Sequence, residues 1–262
     1  MNSLSKIIKY SFYDTWRSWW ALLYGLFFLV IAATLLYFSG DFNKALLSLL
    51  NIVLLLVPLI STVFGTMYAY NSREFTELLL AQPLKRNNIF LGQYLGLTLS
   101  LVTSLSLGLG IAFLLFAGSA EEGVHLGMLM LCGAMLTAIF TGLAFLVSAF
   151  FDDRVKGFGF AILIWVFAAV IYDGLLLAFL VIFNDYPLEK ATIGLTMLNP
   201  IDLSRILILL RLETAALLGY TGAVFHQFFG TLMGTAFSAA ALLLWVLIPL
   251  LLFLKKVQHK DF

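Results

Sequence analysis

Few side chains in this sequence carry reactive chemistry at a workable spacing. No G-x-x-x-x-G-K-[ST] segment is present, so the chain has no loop to cradle nucleotide phosphates. G-x-S-x-G, H-E-x-x-H and C-x-x-C are absent as well. The best group of soft donors is His125, Met128 and Cys132, which share one helical face at i, i+3 and i+7. Imidazole, thioether and thiol suit copper, yet Met and Cys are also ordinary apolar packing residues. The expectation is therefore that the chain binds no metal or cofactor, with these three as the only candidate ligands. Asp173 is a second point of interest, because it falls inside an apolar stretch. An ionisable group at that depth is costly. It reads either as a hydrogen-bonded structural carboxylate or as part of a proton or cation pathway.

Two polar strings carry more information. Asn71–Asn88 reads NSREFTELLLAQPLKRNN. It is too polar to cross a membrane, yet rich in leucine. Arg73, Glu74, Phe75, Glu77 and Leu78 form a short helix with acidic and apolar faces. Pro83 then breaks that helix, and Lys85 and Arg86 restore positive charge. This is either a foot for a soluble partner or an ordinary solvated loop. The second string is Asn199-Pro200-Ile201-Asp202-Leu203-Ser204-Arg205. Asparagine suits an N-cap, proline suits the first helical position, and Asp202 complements the helix dipole. Arg205, three residues on, is within reach of Asp202. With the apolar run Ile206–Leu210 behind it, the string predicts a capped helix on a membrane surface. That helix is either partly sunk in lipid or packed on another subunit.

The elements that position these residues follow from composition. Of 262 residues, 62% are hydrophobic and 11% charged, whereas soluble domains average about 25% charged. Long apolar runs without alternation select membrane-spanning helices, since lipid satisfies no backbone group. The fold class is all-α: a single polytopic transmembrane domain with six spans, near residues 19–38, 45–70, 89–117, 124–151, 158–183 and 228–254. Residues 1–18 form an amphipathic helix expected to lie on the membrane surface, as a docking element or an anchor. Its apolar face is drawn through Ile8, Phe12, Trp16 and Trp19. Pro58 lies within the second span, and Glu121 and Glu122 are placed in the loop before the fourth. Asp152, Asp153 and Arg154 make a tight turn before the fifth span. Residues 184–227 form a long polar segment.

Lys and Arg set the orientation. With the N-terminus in the cytoplasm, eleven of the fifteen basic residues fall on the cytoplasmic side. Both termini are then cytoplasmic. One cysteine excludes an intrachain disulfide, and a net charge of +1 gives no reason to expect nucleic acid. Gly92 and Gly96, like Gly230, Gly234 and Ser238, are spaced four apart, as close helix contacts require. They belong to a dimer seam or to internal packing.

The string Arg73-Glu74-Phe75-Thr76-Glu77-Leu78-Leu79-Leu80, followed by Pro83, Arg86, Ile89 and Gly92-Gln93, resembles the coupling-helix region of ABC-2 type transporter permeases. This sequence departs from the pattern at Phe75, where glycine is usual, and at Gln93, where lysine is usual. Residues 78–96 and Leu198–Arg205 are further similar to permease subunits of the nitrous oxide reductase copper-maturation system of denitrification.

The resemblance implies an ABC-2 (type V) exporter-like architecture in a bacterial inner (cytoplasmic) membrane. It implies a non-enzymatic subunit that works as a homodimer in membrane lipid. ATP and Mg would sit in a separate ABC ATPase docked on a coupling helix near residues 71–82. Arg73, Glu74, Phe75, Glu77, Leu78, Pro83 and Arg86, with Asp152, Asp153 and Arg154, would form that dock. Asn199, Pro200, Asp202 and Arg205 would meet a periplasmic β-helical maturation protein, supplied by a copper chaperone lipoprotein. The alternative is an ABC-2 exporter of a lipid or other hydrophobic compound.

Overall fold

The computed structural model describes residues 3–116, 120–183, 189–211 and 232–259. Every regular element among them is helical: α1 (Ser3–Trp16), α2 (Trp19–Ser39), α3 (Phe42–Asn71), α4 (Arg73–Leu80), α5 (Arg86–Phe116) and α6 (Ala120–Phe150) come first. α7 (Arg154–Val166) and α8 (Tyr172–Ile182) follow, joined by a π-helical turn at Phe167–Ile171. α9 (Glu189–Met197), α10 (Pro200–Arg211) and α11 (Leu232–Gln258) complete the set. Six helices, with α7, the π turn and α8 counted as one, are long and apolar enough to cross a membrane.

Short polar residues set several of the boundaries. Ser18 starts α2, and Asp41 starts α3 by accepting from the Asn43 amide at 2.9 Å. Gly40, at φ 63°, supplies the left-handed residue that ends α2. Asp153 starts α7 by accepting from the Val155 amide at 2.8 Å. Pro58 lies inside α3, and the helix continues through it. α6 begins at Ala120, so Glu121 and Glu122 belong to its first turn and not to a loop.

The core is a stripe of α3 (Leu46, Leu50, Val53 and Val57) packed among Leu97, Leu101 and Leu105 of α5 and Leu136 and Ile139 of α6. Their spacing of three and four residues keeps each stripe on one helical face. Other helix faces carry exposed large apolar side chains, as at Leu22 of α2, Leu107 of α5 and Leu163 of α7. A membrane protein presents such faces to lipid.

Two placements differ from the sequence reading. α1 does not simply rest on a membrane surface. Its buried face is Ile7, Ser11 and Thr15, seated against α5 where Gly92 and Gly96 leave no room for a side chain. A Cβ at Gly92 would stand 2.7 Å from Ile7, and one at Gly96 would stand 3.0 Å from the Ile8 carbonyl. These two glycines therefore serve internal packing between α1 and α5. Gly230 lies outside the described residues, and Ser238 donates to the Gly234 carbonyl within α11.

The second difference concerns the helix at Pro200. It is not a surface helix, for Ile201, Leu203, Ile206, Leu207 and Ile208 are all buried in the main core. α9 and α10 fold back on each other at 113°, and together they are apolar enough to enter the hydrocarbon as a broken or re-entrant segment. Apolar residues at 206–208 gain more from protein packing than from an interface, and the charges beside them find partners inside the chain. Of the segment 184–227 predicted as polar, residues 184–188 and 212–227 lie outside the described residues.

Candidate functional site

α4 meets α1, α3, α5 and the α6–α7 elbow at one end of the bundle. α4 begins directly after α3, held by the Ser72 amide donating to the Tyr68 carbonyl. It ends at Leu80, capped at Ala81, before Pro83 is reached. One face of α4 is tethered. Thr76 is buried and accepts a hydrogen bond from the Gln93 side chain of α5 at 2.8 Å. Phe75 stacks on Tyr10 of α1, with ring centroids 4.7 Å apart. The opposite face carries Glu74, Glu77 and Leu78 into the open, with Leu78 68% exposed. Sequence reasoning placed these residues on one short helix, and the structure does the same. Beneath α4 a cavity of about 30 Å³ is lined by Arg73, Thr76, Gln93 and Ser148 together with apolar side chains, room for about one water.

Arg73 joins α4 to the elbow between α6 and α7. Its guanidinium donates to the Asp152 carbonyl at 3.1 Å and to the Phe151 carbonyl at 3.3 Å. These carbonyls follow the C-terminus of α6, where a cation complements the helix dipole. The same guanidinium lies 4.9 Å from the Tyr70 ring centroid and 3.6 Å from the exposed Asp152 carboxylate. Tyr70 donates its hydroxyl to the Phe151 carbonyl at 2.8 Å. Arg154 returns the link, reaching the Tyr70 carbonyl and the Asn71 side chain, each at 3.4 Å. The two arginines thus cross-brace the α3–α4 and α6–α7 elbows. Arg86 opens α5 beyond the exposed Pro83. Sequence reasoning missed Tyr70, Tyr10 and Asn71, because an interfacial tyrosine looks the same whether it meets lipid or a neighbouring carbonyl. The end of α11 also lies here: Gln258 donates to the Asn87 side chain at 3.0 Å.

A second polar cluster lies at the α9–α10 corner. Arg205 pairs with Asp173 at 2.8 Å and with Asp202 at 3.0 Å. Asn199 donates to the other oxygen of Asp202 at 3.0 Å and to the Ala168 carbonyl at 2.8 Å. Its own side-chain oxygen caps α10 by accepting from the Ile201 amide. Ala168 belongs to the π-helical turn, and such turns gather at functional sites. Tyr172 donates to the Leu195 carbonyl at 2.6 Å, and Trp245 to the Met197 carbonyl at 3.2 Å. Asn199 and Asp202 are therefore turned inward, and Asp173 is an ion-paired carboxylate. An apolar groove of about 670 Å³ runs beside the cluster, lined by Tyr172, Leu176, Phe179, Leu195 and Leu198 among others.

The three soft donors stay apart from any ligand set. Cys132 is fully buried in the core, Met128 packs against that core, and His125 is half-buried. Among the described residues, no three His, Cys, Asp or Glu side chains come close enough to hold a metal ion.

Comparison with known proteins places these features in context. The ABC-2 family transporter protein profile matches residues 5–257, nearly the whole chain. The chain is 28% identical over 225 residues to the probable ABC transporter permease protein NosY of Stutzerimonas stutzeri, covering 79% of this chain and 81% of that protein. It is 27% identical over 220 residues to the protein of the same name from Pseudomonas aeruginosa, covering 78% and 80%.

Proposed function

Since the chain belongs to the ABC-2 family and is a permease subunit of an ABC transporter, we propose that it carries ATP-driven movement across the inner membrane for copper-site maturation of nitrous oxide reductase. In this reading the α4 end faces the cytoplasm. Two copies work together, each over one ABC ATPase subunit that binds ATP and Mg. The observation that carries the reading is the division of α4 into two faces. Thr76, Phe75 and Arg73 bind it to three other elements, while Glu74, Glu77 and Leu78 are offered outward. A helix held this way moves as one body with its supports when a partner pushes on it. Asp152 and Asp153 extend the dock alongside.

The opposite end faces the periplasm. There Asn199, Pro200, Asp202 and Arg205 set the corner between α9 and α10 instead of reaching out themselves. The exposed Leu198 at that corner offers contact to a periplasmic β-helical subunit, itself served by a copper chaperone lipoprotein. Similarity to NosY over about four-fifths of both chains supports this choice of cargo system.

The test is charge reversal on the outward face of α4. Glu74→Arg combined with Glu77→Arg is expected to strip the ATPase from the purified complex while leaving the permease folded. An ATPase that stayed bound and fully active would sink the docking assignment. The apolar groove between α8 and α9 favours a second reading, export of a lipid or another hydrophobic compound. A periplasmic protein co-purifying with the intact complex supports maturation, and lipid flux without one supports export.

A further inference from the structure

The fifth span is held differently from the others. Only 6% of its apolar stretch is buried within the chain, against 61% for the fourth. Apolar packing fixes the fourth span, whereas directional polar contacts at three levels tie down the fifth. At the α4 end, Tyr70 binds the Phe151 carbonyl and Arg154 binds the Tyr70 carbonyl. Gly157 of α7 lies so close to the Tyr70 phenol that a methyl group there would collide with it. Midway, the Trp165 indole donates to the Leu55 carbonyl of α3 at 3.1 Å, one turn before Pro58. At the far level, Asn199 takes the Ala168 carbonyl of the π turn, and Arg205 takes Asp173.

The geometry points to the fifth span as the rod that carries displacement of α4 to the α9–α10 corner. Tyr70 and Arg154 are the positioning residues of its lower joint, and Asn199 and Arg205 those of its upper joint. The π-helical turn, which contains Ala168, is the hinge at that upper joint. α4 reaches the foot of the rod directly, because Arg73 holds the Phe151 and Asp152 carbonyls. A packed core resists small deformation, whereas an element held by a few directional bonds shifts as a unit. The Ala168 carbonyl that accepts from Asn199 belongs to the π turn, so the joint is made where the helix bends most easily. This inference rests on α4 being the place where the ATPase docks.

Spatial sequence alone does not establish coupling, so the test reads movement at both ends. The purified complex in nanodiscs is followed by hydrogen exchange, with and without ATP and vanadate. In the wild type, ATP is expected to change exchange in residues 167–171 and in α9. Tyr70→Phe keeps the ring but deletes the lower bond. Tyr70 is buried beneath the dock and touches Arg73 and Asp153 there, so ATPase attachment is measured in the same sample. With the ATPase attached, the ATP-dependent change should fall about fivefold at both places, the factor that one lost hydrogen bond implies. Asp173→Asn should keep the response of residues 167–171 and lose that of α9. Wild-type responses in both variants, with the ATPase attached, overturn the rod. If Tyr70→Phe does not assemble, the Asp173→Asn result decides alone. A wild-type complex without an ATPase overturns the docking reading instead.

Discussion

Gln93 on α5 donates to the Thr76 hydroxyl on α4 across 2.8 Å, and both side chains are buried. The sequence resemblance marks Gln93 and Phe75 as departures from the ABC-2 pattern, and Phe75 is stacked on Tyr10. Both departures hold α4 against its neighbours. Glycine at 75 could not make the ring stack, and lysine at 93 would bring a charge into this buried contact. In this chain α4 is fastened to α1 and α5 by side chains, in addition to being joined to α3 by the backbone.

That bond is unequal from its two ends. The Thr76 hydroxyl also donates to the Ser72 carbonyl at 2.7 Å. Gln93→Leu therefore leaves Thr76 satisfied and is expected to cost little. Thr76→Val leaves the buried Gln93 amide without its acceptor and is expected to cost ~1–3 kcal/mol. The double variant should be more stable than Thr76→Val alone, because the orphaned amide is gone. Thermal unfolding of the three proteins in one detergent checks the order. Equal losses in the two single variants would contradict the asymmetry.

The seat of α1 is a matter of volume. Gly96→Leu would drive a side chain into the Ile8 carbonyl and the Phe12 amide, each 3.0 Å from the new Cβ. Overpacking of this kind costs ~1–3 kcal/mol, and α1 can relieve it by lifting away. Trypsin should then cut at the exposed Lys6 and Lys9 several times faster than in the wild type, while cleavage between the spans is unchanged. The Tyr10–Phe75 stack breaks with it, so ATPase coupling should weaken in the same variant. Cleavage at the wild-type rate would mean that α1 does not depend on this contact.

These cases mark what could be read in advance. Six spans were legible because runs of about 20 apolar residues have one use in a chain with so little charge. The starts of α2, α3 and α7 carry short polar caps. α4 was legible because Glu74 and Glu77 stand three apart beside leucines and ahead of Pro83. What covers an apolar face was not legible. The faces of α1 and of residues 206–208 read alike whether lipid, a neighbouring helix or another subunit meets them. The spacing of Gly92 and Gly96 announced a close approach without naming α1 as the partner. Asp173 and Arg205 lie 32 residues apart, beyond any periodicity, so only the three-dimensional fold brings them together.

The charges at the α9–α10 corner allow an ordering of variants. Arg205 stands between Asp173 and Asp202, which are themselves close enough to repel. Removing the cation by Arg205→Met leaves two facing carboxylates and two lost charge-assisted bonds. Asp173→Asn removes one carboxylate and leaves Arg205 matched to Asp202 alone, with no net charge. Arg205→Met should therefore lower the unfolding temperature more than Asp173→Asn. Breaking a fully buried pair costs ~3–5 kcal/mol, but Arg205 and Asp173 are each about one-third exposed, which screens the loss towards the lower figure or beneath it. Adding Asp173→Asn to Arg205→Met removes the repulsion and should restore part of the stability, a non-additivity expected of residues in direct contact. If Asp173→Asn proved the more harmful single change, or if the double variant were the least stable of the three, the carboxylates would not be repelling each other and the corner would be held chiefly by its apolar side chains.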